Sequence, residues 1–381
     1  MRVAIDVSGL SPGLHSGTAV YLYRLVEALG AVPDVELRVL YNGMPGEGAE
    51  LAASLERGNA KVVCAYFRWR ALPGPLFDRP YPAVLRREAR SADVFHVGEF
   101  VYPEPRAGQA VIATVHDVTT VLFPEWHFWA NKLLHRRRLA WVRRHATRVI
   151  IDAEATRRDT AAVLALAADR LDVVPLARGT AGATSRGPGA TRARADVGDA
   201  PYVLCVGTLE PRKNLVRLVE AFRRLPADLG PLGLVLAGPW GWRGGALRAA
   251  LRASRDRARR VIVTGAVSAD ALGALYAGAT AFAYPSLYEG FGLPVLEAMA
   301  AGVSVLTSAG GACAEVAGDA ALLVDPTDVA AIAAGLERLL RDADERRRLA
   351  ARGTEVERGY TWERAAAGTV AVYRAALEGV R

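Results

Sequence analysis

Lysine is almost missing from this chain: among 48 basic residues only Lys61, Lys132 and Lys213 carry an ammonium group, and arginine supplies the rest. Cysteine is equally sparse. Cys64, Cys205 and Cys313 stand far apart, without the paired spacing of a zinc site, and their odd number argues against a disulfide framework. No apolar run approaches the roughly 18 residues that a membrane-spanning helix needs. The opening MRVAIDVSGL reads as a buried strand rather than as a basic region followed by a signal core, so a cytoplasmic protein is expected. The order G-x-G-x-x-G is absent, which removes the usual fingerprint of dinucleotide-dependent oxidoreduction. The one Asp-x-Asp, Asp342 to Asp344, falls inside LLRDADERRRLAARG, a charged helix connection, and no metal site is expected.

Charge is present without being concentrated. The net charge of +8 divides evenly over the chain, and no groove-reading module accompanies it, so nucleic acid is not an expected partner. One local exception runs from Trp126 to Ile151, a stretch with no acidic residue that carries Lys132, Arg136, Arg137, Arg138, Arg143, Arg144 and Arg148 beside Trp126, Phe128, Trp129 and Trp141. Two readings stay open for it. It is either a solvated helix face with its tryptophans packed inward, or a peripheral contact with an anionic membrane, which would be the inner face of a cell membrane.

A length of 381 residues with 51% hydrophobic and 23% charged residues suits two soluble domains. Short β-rich runs alternate with helical stretches throughout, the pattern of parallel sheets covered by helices on both faces. Seven strands are expected up to Pro175, the first at Val3 to Val7, and six from Tyr202 to Val324. Between them Ala177 to Ala200 is rich in Gly, Ala, Thr and Arg and lacks apolar periodicity, as a linker does. The expected organisation is an α/β chain with a first doubly wound domain over 1–178, a linker over 179–200 and a second domain over 201–362. TWERAAAGTVAVYRAALEG, Thr361 to Gly379, has helical periodicity, and this last segment, 363–381, resembles the terminal helix that crosses back to the first domain in the enzyme family named below. Two such domains facing each other would leave a cleft at the carboxyl ends of their strands.

The richest segment is YPSLYEGFGLPVLEAMAAG, Tyr284 to Gly302, which sets Glu289 and Glu297 on either side of a glycine loop that enters a helix. Gly290 and Gly292 allow close approach of the backbone, Phe291 lies between them, and Pro294 suits the first helical turn. The amides of Leu293 and Val295 would face outward with the positive end of the helix dipole behind them, a place for a diphosphate. Glu297 is placed to accept hydrogen bonds from ribose, and Glu289 to reach a sugar ring beyond the diphosphate. In VGTLEPRKNL, directly after a strand, Lys213 offers a compact charge and Arg212 a planar fork, together suited to neutralising a leaving nucleotide.

Over these motifs the sequence resembles glycosyltransferase family 4, the retaining transferases of GT-B fold, and the resemblance extends over nearly the whole chain. GTLEPRKN further resembles a mannosyltransferase-like subgroup. The resemblance implies a metal-independent retaining enzyme that uses a nucleoside-diphosphate sugar, of GDP-mannose, UDP or dTDP type, as donor substrate rather than a cofactor. Its acceptor would be a hydroxyl on a glycan, a lipid-linked sugar or a natural product. It also implies that Lys213 binds the diphosphate, that His116 in IATVHDVTT faces the donor sugar, with Asp117 orienting the imidazole or receiving an acceptor proton, and that Gly265 to Val267 receive the nucleobase. Gly9, Gly13 and Gly17 form a first loop that can bring amides to a phosphate or an acceptor. The sequence departs from the family at Thr208 and Ala19, where many members carry arginine and glycine. The alternatives are a sugar-nucleotide epimerase, which would consume its substrate without any acceptor, and a non-catalytic nucleotide-sugar-binding scaffold.

Overall fold

In a computed structural model, residues 1–10, 17–43, 46–66, 81–98, 104–179, 200–252 and 259–380 are described. Most of the expected linker, 180–199, and Gly13 of the first loop lie outside them. The chain forms two compact units, Met1–Leu176 with Thr361–Arg381, and Ala177–Tyr360.

The expected α/β fold class is found in both. The first unit holds a seven-stranded sheet of β1 (Arg2–Asp6), β2 (Glu36–Gly43), β3 (Ala60–Tyr66), β4 (Val94–Val97), β5 (Ala110–Val115), β6 (Arg148–Ile151) and β7 (Leu171–Val173), in the order β3-β2-β1-β4-β5-β6-β7. The second holds β8 (Tyr202–Val206), β9 (Leu232–Ala237), β10 (Arg259–Gly265), β11 (Ala281–Tyr284), β12 (Val305–Ser308) and β13 (Ala321–Val324), in the order β10-β9-β8-β11-β12-β13. Neighbouring strands in both sheets run parallel. The reason is legible in the residues. AVIATV of β5 and LGLVLA of β9 are buried at every position, as strands covered on both faces must be.

In each sheet the winding reverses once, between β1 and β4 and between β8 and β11. At such a reversal the loops leaving the two strands diverge and open a crevice at their carboxyl ends. The helix Trp362–Gly379 packs on the helix Gly17–Leu29 and on β5 and β6, so it covers part of the first sheet. Its Tyr373 hydroxyl is hydrogen-bonded to His96 Nδ1 at 2.7 Å, and His96 Nε2 to Thr114 Oγ1 at 2.8 Å. Burial pushes the His96 imidazole down to about 3, helped by the nearby His116, so this link between β4, β5 and the last helix is a neutral one.

Candidate active site

In the second unit, the loops that leave β8 and β11 at the reversal are stitched together. Leu287 N and Ser286 Oγ both donate to the Arg212 carbonyl, at 2.9 and 3.0 Å. Asn214, left-handed at φ 58°, donates through Nδ2 to the carbonyls of Pro285 and Pro326. Gly207 is left-handed at φ 142°, and a Cβ there would sit 3.3 Å from Lys213 Cε. The glycine of the GTLEPRKN segment therefore clears the path along which the lysine side chain runs.

These constraints bring Arg212, Lys213 and Glu289 into contact. Lys213 Nζ donates to Glu289 Oε1 at 2.7 Å and to the Tyr284 hydroxyl at 2.5 Å, and lies 5.0 Å from the centre of the Tyr284 ring. Arg212 Nη1 donates to Glu289 Oε2 at 2.5 Å and to the Tyr288 carbonyl at 3.2 Å, while its Nε and Nη2 donate to Glu210 Oε1 at 3.1 and 2.9 Å. The one hydroxyl hydrogen of Ser286 is shared between the Arg212 carbonyl and Glu289 Oε1, the latter 2.5 Å from Oγ. Burial pushes the Glu289 carboxyl up, but the Arg212 and Lys213 charges, with hydrogen bonds from Lys213 and Ser286, overcome it and hold the group at about 2. Burial also pushes the Tyr284 phenol well above its ordinary range, with the Glu289 charge second, so the ring stays a neutral acceptor for the lysine.

Sequence reasoning missed Glu210, although it stands inside the same motif. It matters because two carboxylates now face two cations. The cluster is close to balanced, rather than a bare positive patch awaiting an anion. Lys213 has three protons and two acceptors, and its third N–H has no partner among the described residues.

The glycine loop enters the helix Leu293–Ala300 through Gly292, at φ 123°. Gly290 does not adopt a left-handed backbone, so only one of the two glycines is needed for its conformation. A correction applies to Val295: its amide donates to the Gly292 carbonyl at 2.9 Å and is spent in a tight first turn. The Leu293 amide has no acceptor among the described residues. Phe291 is buried edge-on against Tyr360 at 5.8 Å, a core position from which only its backbone could meet a ligand. Glu297, half-buried one turn into the helix, accepts from the Tyr276 hydroxyl at 2.9 Å. Burial raises its carboxyl to about 7, against the pull of Tyr276 and Arg178. Val267 follows β10, after Gly265 at φ 71°, and is half-buried just before Ser268, which caps the helix Ala269–Gly278.

In the first unit, Gly17 opens the helix Gly17–Leu29. His116 follows β5, and its Nδ1 donates to Asp152 Oδ2 at 2.7 Å. Asp152, directly after β6, is thus a carboxylate that orients the imidazole. Asp117 Oδ1 instead accepts from the amide and hydroxyl of Thr119, at 3.0 and 2.6 Å, and fixes the turn into the next helix. The Tyr21 ring meets the His116 imidazole edge-on at 4.6 Å, and Tyr21 donates to or accepts from Thr114 Oγ1 at 2.8 Å. Among the described residues Asp152 Oδ1 is buried without a hydrogen-bond partner, and burial pushes its carboxyl up, while the His116 charge pulls it down. Asp342 caps the helix Ala343–Glu357 by accepting from Glu345 N at 2.8 Å, and Asp344 pairs with Arg347. That is ordinary helix chemistry for the Asp-x-Asp.

Comparison with known proteins agrees with this architecture along the whole chain. The family described as Glycosyltransferase Family 4 matches residues 15–177, and the family described as Glycosyl transferases group 1 matches residues 191–356. The O-antigen chain mannosyltransferase B of Escherichia coli is 30% identical over 94% of this chain and 96% of its own. The chain belongs to glycosyltransferase family 4. Part of the transferase, 42% of its length, is also 36% identical to 44% of the GDP-mannose-dependent alpha-(1-6)-phosphatidylinositol monomannoside mannosyltransferase of Mycolicibacterium smegmatis. Among solved structures, sucrose-phosphate synthase from Thermosynechococcus elongatus superposes with a TM-score of 0.70 at 21% identity, covering 98% of both chains. Anabaena HepE in complex with UDP and glucose superposes with a TM-score of 0.69 at 16% identity, covering 97% of the transferase and 99% of HepE. These structures share the GT-B fold.

Proposed function

We propose that the transferase is a retaining, metal-independent hexosyltransferase that moves mannose from a GDP-linked donor to a hydroxyl of a glycan, lipid-linked or natural-product acceptor. The observation that carries this reading is the Arg212–Lys213–Glu289 cluster at the reversal between β8 and β11, where an α/β sheet offers its ligand crevice. Mannose is supported by the names of both mannosyltransferases above, and GDP by the name of the second.

In this reading the donor diphosphate accepts hydrogen bonds from the remaining Lys213 N–H and from the Leu293 amide. Glu289 and Glu210 keep Arg212 and Lys213 aimed before the donor arrives. Charge that grows on the leaving nucleotide then meets donors already in position, which lowers the barrier without reorganisation at the moment of reaction. Glu297 holds the ribose, Val267 lines the base, and Gly290, Phe291 and Gly292 present backbone to the sugar. Gly17 and His116 act from the first unit, His116 on the reacting sugar with its Nδ1 fixed by Asp152. Same-face attack, with the leaving phosphate accepting the acceptor's proton, gives retention without a covalent intermediate. The spare Lys213 N–H and the Leu293 amide are the donors that meet the leaving group's charge, where many transferases use a divalent ion.

Calorimetric titration with UDP, GDP, dTDP and ADP sugars, each with and without EDTA, tests the reading. Binding of GDP-mannose that survives EDTA is the expected result. A requirement for a divalent ion refutes the metal-independent part, and preference for another base refutes the donor. Proton NMR of the new glycosidic bond tests retention.

A further inference from the structure

We infer that the first unit carries a docking surface for an anionic lipid bilayer, formed by the short helix Thr119–Leu122 and the N-terminal half of the helix Trp129–His145. Eight large hydrophobic side chains are exposed among the described residues, and five of them, Val121, Leu122, Phe128, Trp129 and Leu133, fall within this one stretch. Single exposed apolar residues are ordinary on a protein surface, but a cluster marks a contact. Trp129 is 73% exposed and Phe128 54%, far beyond what packing of an aromatic ring allows. The two helices pack on each other, so their exposed residues belong to one region.

Charge continues the same face. Along the helix, Trp129, Leu133, Arg136, Ala140, Arg143 and Arg144 recur at intervals of three and four, and all are exposed. The opposite side holds Arg138, Leu139 and Val142, all buried. Arg138 is occupied inside the fold, where its Nη2 donates to the Thr114 carbonyl at 2.6 Å. Among the described residues, Arg136, Arg143 and Arg144 are in no ion pair. The outward face therefore has aromatic and aliphatic residues at one end and arginines along the rest; Glu125, exposed between the two helices, is the acidic residue of the stretch, and 126–151 holds none.

That combination selects the occupant. Tryptophan and phenylalanine settle at the level of lipid headgroups, and arginines beside them meet lipid phosphates. A second copy meeting this face across a two-fold axis would bring arginine against arginine. Nucleic acid would leave the aliphatic Val121, Leu122 and Leu133 without a use. The helix is too short and too charged to cross a bilayer, and among the described residues no helix is long and apolar enough to do so. The surface would lie on the membrane, within reach of acceptors that sit in it.

Co-sedimentation with vesicles tests this, using phosphatidylcholine alone and equal parts phosphatidylglycerol and phosphatidylcholine, at low and high salt. The full-length protein should pellet with the phosphatidylglycerol vesicles, remain soluble with phosphatidylcholine, and be released by salt. Replacing Arg136, Arg143 and Arg144 together by Gln should weaken partition by roughly a hundredfold, about fivefold for each charge. The double variant Phe128→Ala with Trp129→Ala should weaken it at every salt concentration. All five side chains are exposed, so circular dichroism and nucleotide-sugar binding should match wild type. Equal binding to both vesicle types, no binding to either, or an undiminished triple-arginine variant overturns the proposal. So does a concentration-dependent dimer, seen by sedimentation velocity, that the double variant abolishes.

Discussion

Replacing Glu289 by Gln should loosen the junction of the two site loops by an amount that depends on pH. The carboxylate accepts from Arg212, Lys213 and Ser286 at 2.5 to 2.7 Å. Its folded value of about 2 lies below the ordinary 4.5. A carboxyl depressed by folding adds stability above its unfolded value and loses it as pH falls through the folded one. The depression corresponds to about 3 kcal/mol near neutrality, lost between roughly pH 4.5 and 2. Gln keeps one acceptor oxygen but no charge, and leaves the Lys213 ammonium, only 7% exposed, without a counter-ion. Breaking one side of a buried pair costs about 3 to 5 kcal/mol, so the two routes agree in size. Urea unfolding of both proteins, followed by circular dichroism at about pH 7 and again at about pH 3, reads the difference. The gap should be about 3 kcal/mol or more at the higher pH and shrink to about 1 to 2 at the lower. A gap that stays the same at both would refute the assignment of Glu289 as the charge that locks the two cations.

Lys213→Ala should reduce kcat by roughly 10² to 10³ if its ammonium stabilises the departing diphosphate; turnover at the wild-type rate would remove it from the mechanism. Glu297, raised to about 7, favours its protonated state in the fold, a stabilisation present below 4.5 and lost as pH rises through about 7. Since a ribose needs the carboxylate as acceptor, donor affinity should increase over that same rise, and calorimetry of Glu297→Gln should show no such increase. Asp152→Asn should lower turnover by roughly a hundredfold and displace the pH profile by freeing the His116 tautomer, while thermal unfolding barely moves; an unchanged profile contradicts the positioning role. Tyr373→Phe removes a partner of the buried His96 and should destabilise the first unit by about 1 to 3 kcal/mol in denaturant titration, with donor binding retained.

Among the described residues the thirteen strands were readable because the inner ones, covered on both faces, are contiguous apolar runs, and the ends of all fall within two residues of the expected ones, coinciding at Tyr202–Val206 and Ala281–Tyr284. Lys213, Arg212 and Glu289 were readable as chemistry, since a rare lysine and a carboxylate each follow a strand. Their mutual pairing was not. It arises when loops more than 70 residues apart are laced by Ser286, Leu287 and Asn214, which carry no local signal of their own. Asp152 left a faint trace, a carboxylate closing the buried run RVII of β6, and Asp117 drew attention only because it is adjacent in sequence. The spent amide of Val295 depends on the tightness of one turn, which composition does not encode.

The helix Trp362–Gly379 belongs to the unit whose other strands and helices all precede residue 177. During synthesis, the first sheet therefore emerges with His96, Tyr21 and the faces of β5 and β6 still uncovered. It stays so while the whole second unit is being made. The second unit is continuous and can close as soon as Tyr360 has left the ribosome. Although translated later, it is free to finish first, and the earlier half reaches its native packing only after Trp362–Gly379 has followed.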